Sequence, residues 1–272
     1  MSKYRKIVWN EGMLLTPHHF QQLDNYHEEL LNSRVRSIMQ HEYGVLELRV
    51  SGEAIANGNF QIATCRAVMP DGLFVNVPDA ESVPVARPIG NHFKVEADRL
   101  GVHLAIPAKK MGEANFQSSG AASNGNIRYL QEGAQVKDET TGTNEQPVAY
   151  AKSNLRVIFD DELRDGFVSF KIAELQRTPT GQLKISEEYI PPILKISASD
   201  WLAAMLRSLV EILITKGASL AEQRRQSNAS LADFTTSEVA VFWLLHTINN
   251  SIPIMSHFFR SPVLHPERLY EE

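Results

Sequence analysis

The stretch EEYIPPILKISASDWLAAML, residues 187–206, separates two parts of the chain that differ in hydrophobic pattern. Pro191 and Pro192 hold the backbone extended and remove two N–H donors, so they interrupt any helix or central strand. Ser199 follows, a residue type that caps helix N-termini. Before the prolines short runs alternate with a period of two, and after them apolar residues recur at three-and-four spacing. The stretch therefore predicts a β-rich region over 1–190 and a helical region over 191–272.

The first region consists mostly of short apolar runs without intervening helices. Pro70-Asp71-Gly72 predicts a hairpin turn, because proline presets φ and glycine accepts a positive φ. Successive strands of this kind are typical of an antiparallel sandwich or barrel. The predicted strands begin at Val45 and cover 60–69, 73–77, 102–106, 126–130, 155–159 and 167–172.

One helix is expected early in this region. Thr16 has the residue type of an N-cap and Pro17 suits the first helical position, so we expect a helix from Pro17 to Gln40 or His41. The segments 112–126 and 137–147 are poor in large apolar residues and predict long surface loops. The predicted fold class is thus mainly β with α: a β-sandwich with one early helix, followed by a helical bundle.

The second region predicts several helices. Ser199 begins the first, which carries leucines at helical spacing, and Thr235 with Glu238 forms a capping box for a second helix through Asn249. Ile252-Pro253 is expected to start a third. Residues 239–245 are apolar nearly all round the second helix, so one chain alone is not expected to cover them. We therefore predict a homotrimer whose interface includes Leu206, Leu209, Leu213, Phe242 and Leu245.

Composition excludes several classes of function. The formal net charge is −5 and the basic residues are scattered, so nucleic acid is not an expected partner. Cys65 is the only cysteine, which rules out an intrachain disulfide. No apolar run approaches the ~20 residues that span a bilayer, so we expect no membrane insertion and a cytoplasmic location.

Two clusters have the residue types of a metal or catalytic site. His18, His19 and Asp24 lie close in sequence, but the positions three and four residues after His19 are Gln22 and Leu23, and no H-E-x-x-H pattern occurs. We expect helix-start contacts for His18 or His19 and a half-buried His27.

The other cluster is acidic: Asp160, Asp161, Glu162 and Asp165. Gly166 follows the cluster, and an Asp-Gly pair is typical of a tight turn. The cluster therefore predicts a solvated hairpin tip. With no nucleophile or phosphate-binding motif present, we predict no catalytic, cofactor or metal residues.

The segment WNEGMLLTPHHFQQLD, residues 9–24, closely resembles the N-terminal signature of the TssK (VasE/ImpJ) family of baseplate proteins in bacterial type VI secretion systems. Pro70-Asp71-Gly72, Tyr189-Ile190-Pro191-Pro192 and residues 265–270, HPERLY, resemble further segments of that family in the same order. One departure is His18, where family members commonly carry glutamine.

The resemblance implies a β-sandwich shoulder similar to that of siphophage receptor-binding proteins, a helical neck, and a C-terminal head. It also implies a homotrimer whose shoulder binds the TssF/TssG wedge and whose head reaches the TssJ/TssL/TssM membrane complex. The chain corresponds to shoulder and neck, and the short helical turn that its last residues predict agrees with a fragment lacking the head.

Beside this resemblance, the apolar residues before and at the start of the early helix predict a docking surface. They are too few to form their own core. The expected partner-binding residues are Trp9, Met13, Leu14 and Phe20. The predicted function is a trimeric structural adaptor that is not an enzyme. The alternatives are a carbohydrate-binding module that uses loops such as 112–126, and a metal hydrolase that uses His18, His19 and Asp24.

Overall fold

The computed structural model describes residues 4–94, 97–117, 126–226 and 236–272. Its elements follow one another as α1 (Pro17–Ile38), β1 (Gly44–Val50), α2 (Gly52–Ala56), β2 (Asn59–Phe60), β3 (Ile62–Val68), β4 (Phe74–Val77), β5 (Arg87–Pro88), β6 (Arg99–Pro107), β7 (Tyr129–Val136), β8 (Gln146–Ser153), β9 (Arg156–Phe159), β10 (Phe167–Arg177), β11 (Leu183–Ile185), α3 (Asp200–Gln226), α4 (Thr236–Arg260) and α5 (Glu267–Glu271).

Antiparallel sheets form the first region, as the alternating pattern predicts. One sheet has the order β1-β3-β4 and another the order β11-β10-β6-β9, while β2 pairs with β5 and β7 with β8. The hairpin predicted around Pro70-Asp71-Gly72 is confirmed, since Val68 on β3 pairs with Phe74 on β4. Gly72 has a φ of +91°, which a residue with a Cβ adopts only with strain.

A single hydrophobic core joins the two larger sheets and extends into the helical region. Strand β6 lies between β9 and β10, and most of its residues are buried. Leu202, Leu206 and Phe258 from the helices belong to the same cluster. Burying one such aliphatic or aromatic side chain contributes roughly 1.5–3 kcal/mol. Cys65 on β3 is buried here, and burial raises the pKa of its thiol to about 12.

The predicted loop over 137–147 extends two residues too far, and strand β8 was not predicted. Residues 137–145 form the tip of a hairpin, and Gln146 and Pro147 already belong to β8, which pairs with β7 along its whole length. Strand β7 begins at Tyr129 and not at the predicted Asn126. Both strands are exposed on both faces over most of their length, so they lack the burial-driven alternation that identifies a strand in a sequence.

The predicted starts of α1 and α3 are confirmed. Helix α1 begins at Pro17 as expected and ends two residues before Gln40, and the Ser199 hydroxyl accepts a hydrogen bond from the Leu202 N–H at 3.2 Å, confirming the cap of α3. The short C-terminal helical turn is also present, as α5. The predicted capping box of Thr235 and Glu238 lies outside the described residues.

The third helix predicted at Ile252-Pro253 is wrong, because α4 continues through Pro253 to Arg260. Proline removes one backbone hydrogen bond from the helix. Ile248 before it and Phe258 after it are both buried, so packing holds the helix on each side of the interruption.

Helices α3 and α4 also pack against each other beyond the main core. Leu220, Leu245 and Ile248 form a second small cluster there. Gly217 allows the close approach, since a Cβ at that position would lie 3.3 Å from the Ile248 side chain. Across the described ranges, none of the helices has the length and apolar character needed to cross a bilayer.

Candidate functional site

The N-terminal segment and the first turn of α1 form an apolar surface on the outside of the protein. Trp9, Leu14 and Phe20 are exposed, Leu14 to 82%, and Met13 is half-buried. Exposed large apolar side chains that lie close together are typical of interaction sites. The structure thus leaves the predicted partner-binding residues accessible, as a docking surface requires.

His19 stabilises the start of α1. Its Nδ1 lies 3.2 Å from the Thr16 backbone N and 2.9 Å from the Thr16 hydroxyl oxygen, so it accepts from the N-cap residue. The indole of Trp9 lies over this turn, with its ring centroid 6.2 Å from that of His19. The helix-start contact expected of His18 or His19 is therefore confirmed for His19.

The prediction made for His27 is wrong. His27 is exposed and not half-buried as predicted, because it lies on the side of α1 that faces away from the protein. His18, His19 and Asp24 do not form a group of potential metal ligands within the described part of the chain. The lone pair of His19 Nδ1 is engaged by Thr16, which disfavours metal binding through that atom.

The hairpin turn at residues 70–72 anchors the C-terminal half of α1. The Asn32 amide donates to the Asp71 carbonyl at 3.3 Å, and the Arg36 guanidinium donates to the Pro70 carbonyl at 3.0 Å. A Cβ on Gly72 would overlap the Asn32 side chain, so this contact requires glycine. Sequence reasoning identified the turn and the helix but not their contact, which joins residues 39 positions apart.

The same turn holds the base of the β7–β8 hairpin. The buried Arg128 guanidinium forms an ion pair of 2.7 Å with the Asp71 carboxylate and donates to the Pro107 carbonyl at 2.9 Å. Burial opposes the charged form of Arg128, but the Asp71 carboxylate and Tyr129 together outweigh it, and the pKa of Arg128 is raised. Asp71 therefore fixes α1 through its backbone and the hairpin base through its side chain.

A cavity of about 770 Å³ lies between α1 and the hairpin base. Its helix side is polar, with Gln21, Gln22 and Asn25 among its lining, and Lys109 reaches across to Glu28 at 2.8 Å. Residues 112–116 of the predicted 112–126 loop line its other side, and residues 118–125 of that loop lie outside the described residues. A carbohydrate-binding role for this loop stays a prediction.

One flank of α1 carries exposed apolar residues. Leu31, Val35 and Ile38 are exposed on one helix face, and α1 has no buried residue along its 22 residues. Polar contacts hold the helix on the protein, and its apolar side remains available to a partner.

The acidic turn between β9 and β10 is more than the solvated hairpin tip that the sequence predicts. The Asp160 carboxylate lies 2.7 Å from His103 Nε2 and accepts from the Gly101 N–H at 2.8 Å. Burial tends to raise the pKa of Asp160, but these two hydrogen bonds together with the positive charges at His103 and Lys171 outweigh it, and the pKa is lowered. Burial also lowers the pKa of His103, although the hydrogen bond to Asp160 opposes this.

The next two residues of this turn come close to forming a metal site. His92, Asp161 and Glu162 place potential ligand atoms within 4.8 Å of one another. However, the Arg87 guanidinium contacts Glu162 at 2.7 Å and lies 3.3 Å from His92 Nε2, so a cationic side chain already occupies the space between them. The ion pair therefore links Arg87 to the turn, and the positive charge of Arg87 disfavours a metal ion there.

The residues predicted for a trimer interface fall into two groups. Leu206 and Leu245 are buried within their own chain and have no surface left for a partner, while Leu213 is partly buried. Leu209 and Phe242 are exposed. The spacing of apolar residues identifies an apolar side of α3. It does not tell which of these residues pack in the core of their own chain and which stay exposed. Further exposed apolar residues continue the surface of Leu209 along α3, namely Trp201, Met205 and Ile212.

Comparison with known proteins agrees with this architecture. A family model, T6SS_VasE, described as "Bacterial Type VI secretion, VC_A0110, EvfL, ImpJ, VasE", matches residues 19–272. The Type VI secretion system baseplate component TssK1 of Pseudomonas aeruginosa is 31% identical over 274 aligned residues, which cover 100% of this chain and 60% of that protein. The chain therefore spans about three fifths of the length of that curated relative.

Two solved structures have a similar fold. A chain of the baseplate complex from the type VI secretion system superposes with a TM-score of 0.87 at 26% identity, over 99% of this chain and 86% of that one. A chain of the TssK-TssF-TssG baseplate subcomplex superposes with a TM-score of 0.84 at 23% identity, over 99% and 85%. Both cover nearly all of the sheets and helices described above.

Proposed function

Because the chain belongs to the T6SS_VasE family of bacterial type VI secretion proteins, we propose that it is a structural component of the secretion baseplate. It acts by binding other proteins and not by catalysis. The observation that carries this proposal is the alignment over the whole chain with the baseplate component TssK1. The exposed apolar N-terminal segment and the occupation of the acidic turn by Arg87 support it.

The proposed organisation has a β-sandwich shoulder over residues 1–190 and a helical neck over 191–272. Three copies associate through their necks. The interface uses the exposed residues Leu209, Ile212 and Phe242, since Leu206 and Leu245 are already covered by their own chain. Burying apolar surface contributes about 25 cal/mol per Å², so three copies around an axis stabilise what one copy leaves exposed.

The shoulder binds the TssF/TssG wedge through the N-terminal segment. Trp9, Leu14 and Phe20 supply the apolar contact, and the His19 cap fixes the direction in which the segment leaves α1. We propose that a head domain, which is not part of these 272 residues, makes the link to the TssJ/TssL/TssM membrane complex. A baseplate role of this kind places the protein in the cytoplasm.

Copurification with TssF and TssG of the same secretion system tests the proposed wedge contact. We expect Trp9→Ala combined with Leu14→Ala to reduce the recovered TssF and TssG at least tenfold, because truncating buried apolar anchors removes most of an interface's binding energy. Both side chains are exposed in the free chain, so the fold should be unaffected.

The matched control is Leu163→Ala, which removes a more exposed leucine from the acidic turn. It should leave recovery unchanged. Equal recovery with the double variant and with the control would refute the proposed contact.

A further inference from the structure

The chain before α1 runs back alongside that helix. The ring of Trp9 lies 6.2 Å from that of His19 in the first turn of α1. The ring of Tyr4 lies farther along the helix, because it contacts Lys109, which reaches residues about two to three turns from the helix start. Residues 4–16, which we call the arm, therefore pass α1 in the direction opposite to that of the helix.

Lys109 connects the arm to the helix. Its ammonium lies 5.5 Å from the centre of the Tyr4 ring, within the range of a cation–π interaction. The same ammonium donates to the Asn25 side-chain oxygen at 2.5 Å and to the Glu28 carboxylate at 2.8 Å. One cation thus holds an aromatic ring of the arm and two polar side chains of α1.

The backbone on both sides of Lys109 is fixed. Lys109 follows strand β6 by two residues, and the Ala108 N–H donates to the Gly166 carbonyl at 2.8 Å. On the other side, the Lys110 N–H donates to the Asn115 side chain at 2.8 Å, and the Asn115 amide donates back to the Lys110 carbonyl at 2.7 Å. The place that Lys109 gives to the arm is therefore set by the sheets and not by the arm itself.

The residues proposed to bind the wedge lie on the arm between its two ends. Trp9 and Leu14 are exposed, whereas Ile7 and Met13 are half-buried. A freely moving segment loses conformational entropy when a partner binds it, and a segment that is already held loses less. Contacts that hold the arm in the free protein therefore favour binding.

From these contacts we infer that Lys109 is a positioning residue for the proposed wedge contact. It holds the arm along α1, so that Trp9 and Leu14 are presented to the partner in one arrangement. Lys109 acts through the arm and does not touch the partner itself. The inference rests on the proposed function, because the partner is the wedge proposed there.

Tryptic cleavage of the free protein measures how firmly the arm is held. Arg5 and Lys6 directly follow Tyr4 and are exposed, and trypsin requires the chain around a cleavage site to be free. We expect Lys109→Met to accelerate this cleavage roughly three- to fivefold, because the cation is lost while the length of the side chain is kept. Mass spectrometry of timed samples follows the product that begins at Ile7.

Two variants are the controls for this cleavage. Lys109→Arg retains a cation that binds aromatic rings, so it should be cleaved like the unaltered protein. Lys110→Met removes the neighbouring cation, whose ion pair with Glu113 at 3.1 Å involves no residue of the arm, and it should also leave the rate unchanged. Equal acceleration by Lys110→Met would overturn the inference.

Titration with the TssF/TssG complex separates positioning from direct contact. We expect Lys109→Met to weaken binding about threefold and Lys109→Arg to bind normally. If Lys109 acts through the arm, Lys109→Met weakens binding no further once Trp9 and Leu14 are replaced by alanine, because the effects of coupled residues do not add. The same threefold loss in that background would mean that Lys109 contacts the partner directly, and positioning would be overturned.

The two measurements also separate this inference from the proposed function. When the Trp9 and Leu14 double variant binds weakly, unchanged cleavage or unchanged binding with Lys109→Met overturns the inference and leaves the wedge contact standing. When the double variant binds as tightly as the unaltered protein, the proposed wedge contact is refuted, and the inference falls with it because both name the same partner.

Discussion

At the scale of single residues, the acidic turn shows what sequence alone does not reveal. Asp160, Asp161 and Glu162 are adjacent, and the turn that contains them was predictable from Asp165-Gly166. Each of the three engages a different part of the chain: His103 on β6, His92, and Arg87 on β5. These partners lie 57 to 75 positions away, so no local pattern distinguishes such a turn from a solvated one.

The first residue-scale prediction concerns Asp160→Asn. The amide cannot accept from both His103 and the Gly101 N–H, so we expect the free energy of unfolding to fall by about 1 kcal/mol at pH 7, a modest value because the carboxylate is half exposed. Urea denaturation measures this difference. Asp165→Asn, in the same turn but exposed, is the control and should unfold like the unaltered protein.

The pH dependence of this difference has a definite sign. The folded pKa of Asp160 lies below its ordinary value near 4, so its stabilisation is present above about pH 4 and is lost as the pH falls through the lowered value. The deficit of Asp160→Asn should therefore shrink below pH 4. His103, whose folded pKa is also lowered, destabilises the protein in a separate window as the pH falls below about 6.5. A deficit that stays constant down to pH 2.5 would contradict the assigned hydrogen bonds.

At the scale of elements, the turn at residues 70–72 holds the C-terminal half of α1, while Lys109 contacts Asn25 and Glu28 nearer the start of the helix. The sequence predicted both α1 and the turn at residues 70–72, each from its local signals. Their contact was not predictable, because Asn32 and Arg36 reach carbonyl groups of the turn and no side-chain pattern marks a carbonyl as an acceptor. Since α1 has no buried residue, these polar contacts decide how firmly it is held.

The element-scale prediction is that Gly72→Ala loosens α1. Alanine strains the backbone at a φ of +91° and its Cβ displaces the Asn32 side chain, so we expect a loss of about 2 kcal/mol in the free energy of unfolding. Amide hydrogen exchange should accelerate in α1 before it does in β6. Gly52→Ala is the control, since that glycine has open space at its Cβ and an ordinary φ, and it should be neutral. Unchanged exchange in α1 with Gly72→Ala would show that the turn does not anchor the helix.

At the scale of the whole molecule, the sequence predicted the order of the two regions and the class of most strands. It could do so because these elements bury one face, and burial leaves an alternating or helical pattern. Strand β8 and most of β7 were missed because neither face of this hairpin is buried over most of its length. The same limit explains why Leu206 was placed in an interface between copies, since a pattern identifies an apolar face and not what covers it.

The whole-molecule prediction concerns the neck of the proposed trimer. We expect Leu209→Lys combined with Ile212→Lys to convert the oligomer into a monomer at micromolar concentration, because two charges would be buried without partners at the centre of the interface. Both side chains are exposed in one chain, so circular dichroism should show an unchanged fold. Ile214→Lys combined with Ala218→Lys adds the same charge on the opposite exposed side of α3 and should leave the mass unchanged. An intact trimer of the variant with Leu209 and Ile212 replaced would show that the interface does not use this side of α3. The proposed association through the neck would then be refuted.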